Sequence, residues 1–296
     1  MPRIRILSLL VVLLTLSGSA QAQRVAKYGA DFLAGGVGAR ALGMGGAVIS
    51  VTDDVYAGFW NPAGLHAVPG REVAYMHAER FAGIVSFDYA GYAMPFSESS
   101  VLGVTLIRSG VNDIKNTLDA WDAERNQPLQ DPSSAVTTFS AADYALMIGY
   151  GKRLNEQWAF GVTSKIIRRS IGDFASAWGY SMDVGVQWRS ESWSAGATVQ
   201  DVTTMLQSWS VDTGSLANIR DIFGDELPEG GTELVLPVIR LGVSRMIPVR
   251  PGTLRLALDT DVAFDGATTN HISIGGAALH PRLGAEMVIA DRLAFR

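Results

Sequence analysis

The stretch WGYSMDVGVQWR, residues 178–189, decides the fold. Trp178, Tyr180, Met182, Val184, Val186 and Trp188 take alternate positions, and Gly179, Ser181, Asp183, Gly185, Gln187 and Arg189 fall between them. Successive side chains leave a strand on opposite sides, so this alternation predicts a β-strand with one apolar and one polar face. The pattern continues outward. Trp193, Ala195, Ala197 and Val199 alternate with Ser194, Gly196, Thr198 and Gln200, and Leu254, Leu256 and Leu258 alternate with Arg255, Ala257 and Asp259.

Two architectures tolerate such faces. In a soluble sandwich the apolar face packs against a second sheet. In a membrane barrel it meets lipid, and polar or small residues line the lumen. Strands predicted over 139–152, 158–171 and 234–247 are longer than sandwich strands usually are. Their polar faces carry both signs of charge, at Lys165, Arg169, Asp183, Arg240, Arg255, Asp259 and Asp261. Tyr150, Trp158, Trp188 and Trp193 flank short turns, as an interfacial girdle would. Short connections at 97–100, 153–157, 190–192, 248–252 and 290–292 alternate with others that include long ones at 112–138 and 203–233, again the barrel pattern. The expected fold is therefore an all-β, transmembrane antiparallel outer-membrane β-barrel. Val184, Val186, Ala195, Ala197, Leu256 and Leu258 are expected to face lipid, and Arg at Asp183 to be much milder than Arg at Val184. Around His271–Met287 the parity of apolar residues flips, which predicts a bulge at His280-Pro281, with Pro237 a similar irregularity.

The chain starts with Arg3 and Arg5, an apolar run over 6–16, and Ala20-Gln21-Ala22. That order predicts a secretory signal peptide over 1–22, cleaved before Gln23, rather than an N-terminal anchor, the apolar run being too short to span a bilayer. The 296 residues are 48% hydrophobic, with 32 glycines, seven tryptophans and no cysteine, so export brings no disulfide framework. A formal net charge of -5 without a basic tract argues against a nucleic-acid partner.

Between the signal peptide and the first predicted strand, residues 30–65 carry Gly35, Gly36, Gly38, Gly43, Gly45 and Gly46 among Val48, Val51, Val55, Phe59 and Trp60. A wide polar lumen has to be filled or left open, and a Gly-rich segment with tight backbone paths suits a plug. The predicted organisation is a hatch over 23–71 and a barrel over 72–296. A phosphate loop is the other reading, but the spacing is neither GxGxxG nor GxxxxGK[ST]. Asn61 and Pro62 are expected to lock the hatch, with Trp60 held against the wall.

Gly38-Ala39-Arg40-Ala41-Leu42-Gly43-Met44-Gly45-Gly46-Ala47, Asp53-Asp54 and Trp60-Asn61-Pro62-Ala63-Gly64-Leu65 together resemble the N-terminal signature of the PorV/PorQ family. That family is similar to the long-chain fatty acid transporter FadL, whose hatch has a comparable Asp-Asp and Asn-Pro-Ala series. The resemblance continues in Leu236-Pro237…Arg240-Leu241-Gly242 and Gly284-Ala285-Glu286…Leu293-Ala294-Phe295-Arg296. It implies a FadL-like barrel of about fourteen strands with an N-terminal hatch, and hatch-motif roles for Gly43, Gly45, Gly46, Asp53, Asp54, Trp60, Asn61, Pro62, Ala63 and Gly64. The sequence itself shows about ten strands and the start of another at Leu293, so the chain is expected to be cut short at its C-terminus.

Catalytic and cofactor chemistry is not expected. The four histidines, His66, His77, His271 and His280, have no metal-binding spacing, and no GxSxG or HExxH series occurs. Asp53-Asp54 can be read as a calcium site or as turn capping within a hatch, and the second fits the resemblance. Asp259, Asp261 and Glu286 can be read as catalytic carboxylates or as lumen charges balancing Arg240 and Arg255. In the 203–233 connection Leu216, Ile219, Ile222, Phe223 and Leu227 recur near helical spacing, either as a helix packed on the barrel mouth or as a greasy contact surface for lipid or cargo.

The resemblance to PorV/PorQ implies a component of a type IX secretion system that handles secreted cargo proteins beside translocon subunits. The resemblance to FadL implies passive passage of hydrophobic small molecules across the outer membrane, and a purely structural barrel is a third reading; the expected function is the PorV-like one, with FadL-like passage as the alternative. A transporter needs an apolar pocket between hatch and wall; a shuttle needs an exposed rim surface and a closed lumen.

Overall fold

The computed structural model describes residues 24–25, 30–122, 125, 127–216, 230–264, 272–274, 277–290 and 292–296. The predicted signal peptide lies outside them. Among the described residues no helix is long and apolar enough to cross a membrane.

The strands are β1 (Arg24–Val25), β2 (Glu72–Arg80), β3 (Val85–Ser97), β4 (Ser100–Asn116), β5 (Trp121–Asp122), β6 (Gln127–Pro128), β7 (Thr137–Arg153), β8 (Trp158–Ile171), β9 (Ala175–Arg189), β10 (Trp193–Gln200), β11 (Met205–Val211), β12 (Gly231–Val235), β13 (Val238–Val249), β14 (Gly252–Ala263), β15 (Ile272–Ile274), β16 (Ala277–Ile289) and β17 (Leu293–Phe295). β5 and β6 form a small separate ribbon, and the other fifteen make one sheet. Its path is β2-β3-β4-β7-β8-β9-β10-β13-β14-β16, every pair antiparallel. The five short turns predicted from sequence are where the chain reverses.

The sheet curls around the segment that precedes it. Gly38 N donates to Met76 Sδ on β2, while Arg40, two residues on, bonds Glu286 on β16. The hatch thus touches both ends of the strand path at nearly one place, and the strands between enclose it. This is the barrel wall with an N-terminal hatch that the alternation and the resemblance predict.

The wall is inverted relative to a soluble protein. Val73, Tyr75, Leu106, Ile148, Trp178, Tyr180, Leu256, Leu258 and Leu283 are exposed, whereas Thr163, Lys165, Ser181, Asp183, Gln187, Thr198 and Asp259 are buried. A sandwich would bury the first set, so the outward apolar belt is the arrangement of an outer-membrane barrel. Within 178–187 the burial alternates without a break, Asp183 inward and Val184 outward. Placing Arg at Val184 is expected to cost roughly 2–4 kcal/mol if the site lies near the bilayer midplane. Equilibrium unfolding from lipid vesicles measures it, and no loss of stability would contradict the outward assignment.

Three expectations change. First, β11 and β12 lie within the connection predicted as the 203–233 loop and pair with each other, and β11 also pairs with the first half of β9. They complete ladders that β10 and β13 begin lower down. Outward positions here are Leu206, Ser208 and Ser210, with Met205 and Gln207 buried inside, so the apolar-out signal is lost. Similarly, β4 runs to Asn116 past a register shift between Val111 and Ile114, and β7 starts at Thr137, both inside the predicted 112–138 loop. Second, no bulge interrupts β16 at His280-Pro281: Thr260 opposes Pro281 and Asp261 opposes His280 in unbroken register with β14. The parity change arises because β15 and β16 are two arms of a hairpin, Ile272 opposite Leu279 and Ile274 opposite Ala277. Third, the irregularity expected at Pro237 is present and takes the form of a break between β12 and β13, which divides the strand predicted over 234–247. Opposite it, Asp201 and Thr204 between β10 and β11 take positive φ of 54° and 56°. Both ladders are therefore interrupted at the same height.

Candidate functional site: the hatch and the cavity behind it

The hatch has little regular structure, so its backbone polar groups need partners that a helix or sheet would otherwise supply. The inner wall supplies them. Asp259 Oδ2 accepts from Ile49 N at 2.8 Å, and Thr163 Oγ1 donates to Gly58 O at 3.0 Å. Gln187 Nε2 donates to Ile49 O and Thr52 O, both at 3.1 Å, and Arg189 Nη2 to Thr52 O at 2.9 Å. The polar lumen face is thus a template for one irregular segment.

Asn61 is the densest point of contact. Fully buried, it sits in the extended region and caps the 3-10 turn Pro62–Ala67, its Oδ1 accepting from Ala63 N at 3.1 Å. Its Nδ2 donates to Ile49 O within the hatch and to Val186 O on the wall. Pro62 sits at the first turn position, where its missing N–H costs nothing. Pro62, Ala63, Gly64 and Leu65 are buried. They rest on wall glycines at which no side chain fits: a β-carbon on Gly161 would run into the Pro62–Ala63 peptide, one on Gly185 into Asn61, one on Gly196 into Ile49 O. Gly151, Gly161 and Gly185 oppose one another across β7, β8 and β9, forming a smooth seat. Sequence reasoning missed this seat, although glycines recurring on the polar side of strands were its signal.

Trp60 is buried, but it packs largely within the hatch. Its Nε1 donates to Val37 O at 2.9 Å and its ring meets Phe59 edge-on. The wall reaches it through Arg240, whose guanidinium carbon lies 5.7 Å from the ring centroid. Gly45 and Gly46 take φ of +60° and +78°, left-handed backbone that closes the turn after Ala41. Gly43 lies against the Arg296 side chain.

Asp53 and Asp54 have different roles. Asp54 Oδ1 accepts from Tyr56 N, a turn cap, and burial together with its neighbour Asp53 pushes its pKa up. Asp53 instead meets Arg40 Nη1 at 2.7 Å. Burial works against the Arg40 charge, but the hydrogen bond to Glu286 and the charge of Asp53 outweigh it and raise its pKa. Burial lowers the pKa of His66, whose Nδ1 lies 2.7 Å from Ala63 O. Among the described residues no cluster of His, Cys, Asp or Glu is arranged to hold a metal.

The lumen carboxylates do not simply balance Arg240 and Arg255. Asp259 bonds the hatch backbone; Glu286 binds Arg40 and Arg296; Asp261 binds Arg282, with Arg240 Nε 3.4 Å away. Asp183 is a buried partner of Lys165 at 2.8 Å, and Asp201 is a second at 2.7 Å. Arg at position 183 would therefore face a buried cation, which overturns the expectation that this change is mild.

Beside this cluster lies a cavity of about 190 Å³ between hatch and wall. Leu33 and Phe59 contribute from the hatch, and Met147, Leu236, Pro237 and Val238 from the wall, with Lys165, Asp183, Asp201 and Arg240 at its polar side. It sits behind the two ladder interruptions. A second cavity of about 120 Å³ lies against Trp60 and Phe59 and shares Arg240 with the first. Of the predicted rim-contact residues, Leu216 is in a turn, and Ile219, Ile222, Phe223 and Leu227 lie outside the described residues.

No protein-family model and no curated protein matches the chain. Among solved structures it is similar to a Pseudomonas aeruginosa FadL homologue, at 10% identity over 84% of this chain and 74% of that one, with a TM-score of 0.41. It is also similar to the Pseudomonas putida toluene transporter TodX, at 12% identity over 86% and 90%, with a TM-score of 0.41. A deltaS2 mutant of TodX, a monoaromatic hydrocarbon channel, gives 12% identity over the same shares and a TM-score of 0.39. At these values the likeness carries nothing about function.

Proposed function

We propose that the protein resides in the outer membrane and passes small, largely apolar molecules through a hatch-plugged barrel. The observation that supports this is the cavity between hatch and wall, where Leu33, Phe59, Met147, Leu236 and Val238 face the charged side chains of Asp31, Lys165, Asp183, Asp201 and Arg240. It lies where both neighbouring ladders are interrupted, so a molecule there touches the hatch and the least regular part of the wall together. Concave pockets that join apolar walls to convergent polar groups are the usual form of small-molecule sites, and this one carries an unusually large polar share. The exposed apolar belt of the wall supports the membrane placement, with outer-membrane lipid as its partner.

The type IX secretion reading rests on the resemblance in residues 38–65, 236–242 and 284–296, with a rim surface at 216–227 as the place for cargo to dock. No described contact adds to it, and most of that surface lies outside the described residues. A deletion strain of the source organism tests the two side by side. Slower uptake of a labelled monoaromatic hydrocarbon, with an unchanged secreted proteome, is the expected outcome. Normal uptake with secreted cargo lost would reverse the order.

A further inference from the structure

Arg240 is the unexplained residue of the cavity. Its side chain is 11% exposed, and its Nε and Nη1, both buried, donate to no acceptor. The nearest carboxylate oxygen, Asp261 Oδ2 at 3.4 Å from Nε, lacks hydrogen-bond geometry and is taken by Arg282. A buried donor left unmade costs stability, more so for a charged group, so a position that keeps one is held for something else. The guanidinium borders both the larger cavity and the one behind Trp60.

The charges around it decide what it can receive. Among the described residues Lys165 is matched by Asp183 and Asp201, and Asp261 by Arg282 and Arg240. Three cations face three carboxylates. The hatch residue Asp31 adds another carboxylate to the lining. An entering carboxylate would be a further anion with no free cation, in a site where unbalanced charge is costly. A neutral oxygen acceptor would take a guanidinium N–H of Arg240 without adding charge; Nε–H and Nη1–H leave different edges of the planar group, so one oxygen meets only one of them. The volume sets the size: about 190 Å³ is below the roughly 300–1,000 Å³ of pockets that take drug-sized ligands.

We infer that the cavity binds a small uncharged molecule, a single ring or short chain with one carbonyl-type oxygen, whose acceptor sits on Arg240 and whose apolar body lies against Phe59, Met147 and Leu236. The inference rests on the uptake reading and narrows it, because it selects neutral carbonyl compounds over both carboxylic acids and plain hydrocarbons.

Three molecules of similar size separate the alternatives: acetophenone, ethylbenzene and benzoate, each titrated calorimetrically into the purified full chain in detergent. Acetophenone is expected to bind about tenfold more tightly than ethylbenzene, the size of one hydrogen bond to a charged donor, with benzoate weaker than acetophenone. Arg240→Met should abolish the acetophenone preference and leave ethylbenzene binding in place. That variant keeps Asp261 paired with Arg282, so folding is expected to survive. Ala263→Leu, which fills the cavity without touching Arg240, should weaken both neutral ligands. Benzoate binding at least as tightly as acetophenone, or a preference that persists without Arg240, overturns the inference. Ethylbenzene binding that Ala263→Leu weakens, with no preference for acetophenone, overturns the inference alone and leaves the uptake reading standing. Absence of binding by all three overturns both.

Discussion

Replacing Lys165 by methionine is expected to cost about 3–5 kcal/mol of folded stability, the usual scale for removing one partner of a buried ion pair. Lys165 is 3% exposed, and its Nζ lies 2.8 Å from Asp183 Oδ1 and 2.7 Å from Asp201 Oδ1. Methionine fills similar space, so the loss is of charge rather than volume. Two carboxylates would then face each other in a cavity wall with little water to screen them. Asp183 also accepts from Asp201 N, and Asp201 accepts from Ser181 Oγ, so neither can swing away cheaply. Adding Asp183→Asn and Asp201→Asn to the methionine variant should recover most of the loss. Denaturant titration of protein folded into lipid vesicles measures all the variants. Equal stability of the single variant and the parent would mean that the carboxylates find relief elsewhere.

Valine at Gly161 is expected to do the opposite: leave the wall folded and expel the hatch. Its β-carbon would meet the Pro62–Ala63 peptide, which is backbone and cannot turn aside as a side chain could. Overpacking typically costs 1–3 kcal/mol, and in β8 valine otherwise suits a strand. The strain therefore falls on the hatch contact. Limited proteolysis within residues 30–68 should become fast, and conductance in planar bilayers should rise, while the protein still migrates as a folded barrel. A variant as resistant to protease and as silent electrically as the parent would show that Pro62 does not sit where the structure puts it.

Much of the wall was legible because lipid and lumen make opposite demands on alternate residues. Residues 178–187 show every inward and outward assignment, and the short turns follow from where that pattern stops. The reading failed where outward positions turn polar. In β11 the outward Ser208 and Ser210 are polar, so the alternation that marks a strand disappears although the ladder continues. The hairpin of β15 and β16 was read as one bulged strand because a change of parity looks the same either way. Within the hatch, the Asn61-Pro62 turn could be seen locally, since a cap and a proline at the first turn position are sequence-near. Which carboxylate meets which cation could not. Arg40 and Glu286 are brought together by curvature alone, as is Asp259 with the Ile49 N–H, and no spacing in the chain records it.

That curvature has a consequence for the order in which the molecule forms. The hatch is made first when the chain is read from its N-terminus, yet Ile49 waits for Asp259 and Arg40 for Glu286, partners 210 and 246 residues later. Closing loops of that length is entropically slow. Until β14 and β16 arrive, the Ile49 N–H and the Arg40 side chain lack these partners, although β8 and β9 already offer Thr163, Gln187 and Arg189 to the hatch. The hatch is therefore the last element to settle although it is the first to be synthesised, and a chain halted before β14 should present it as an extended, protease-sensitive leader.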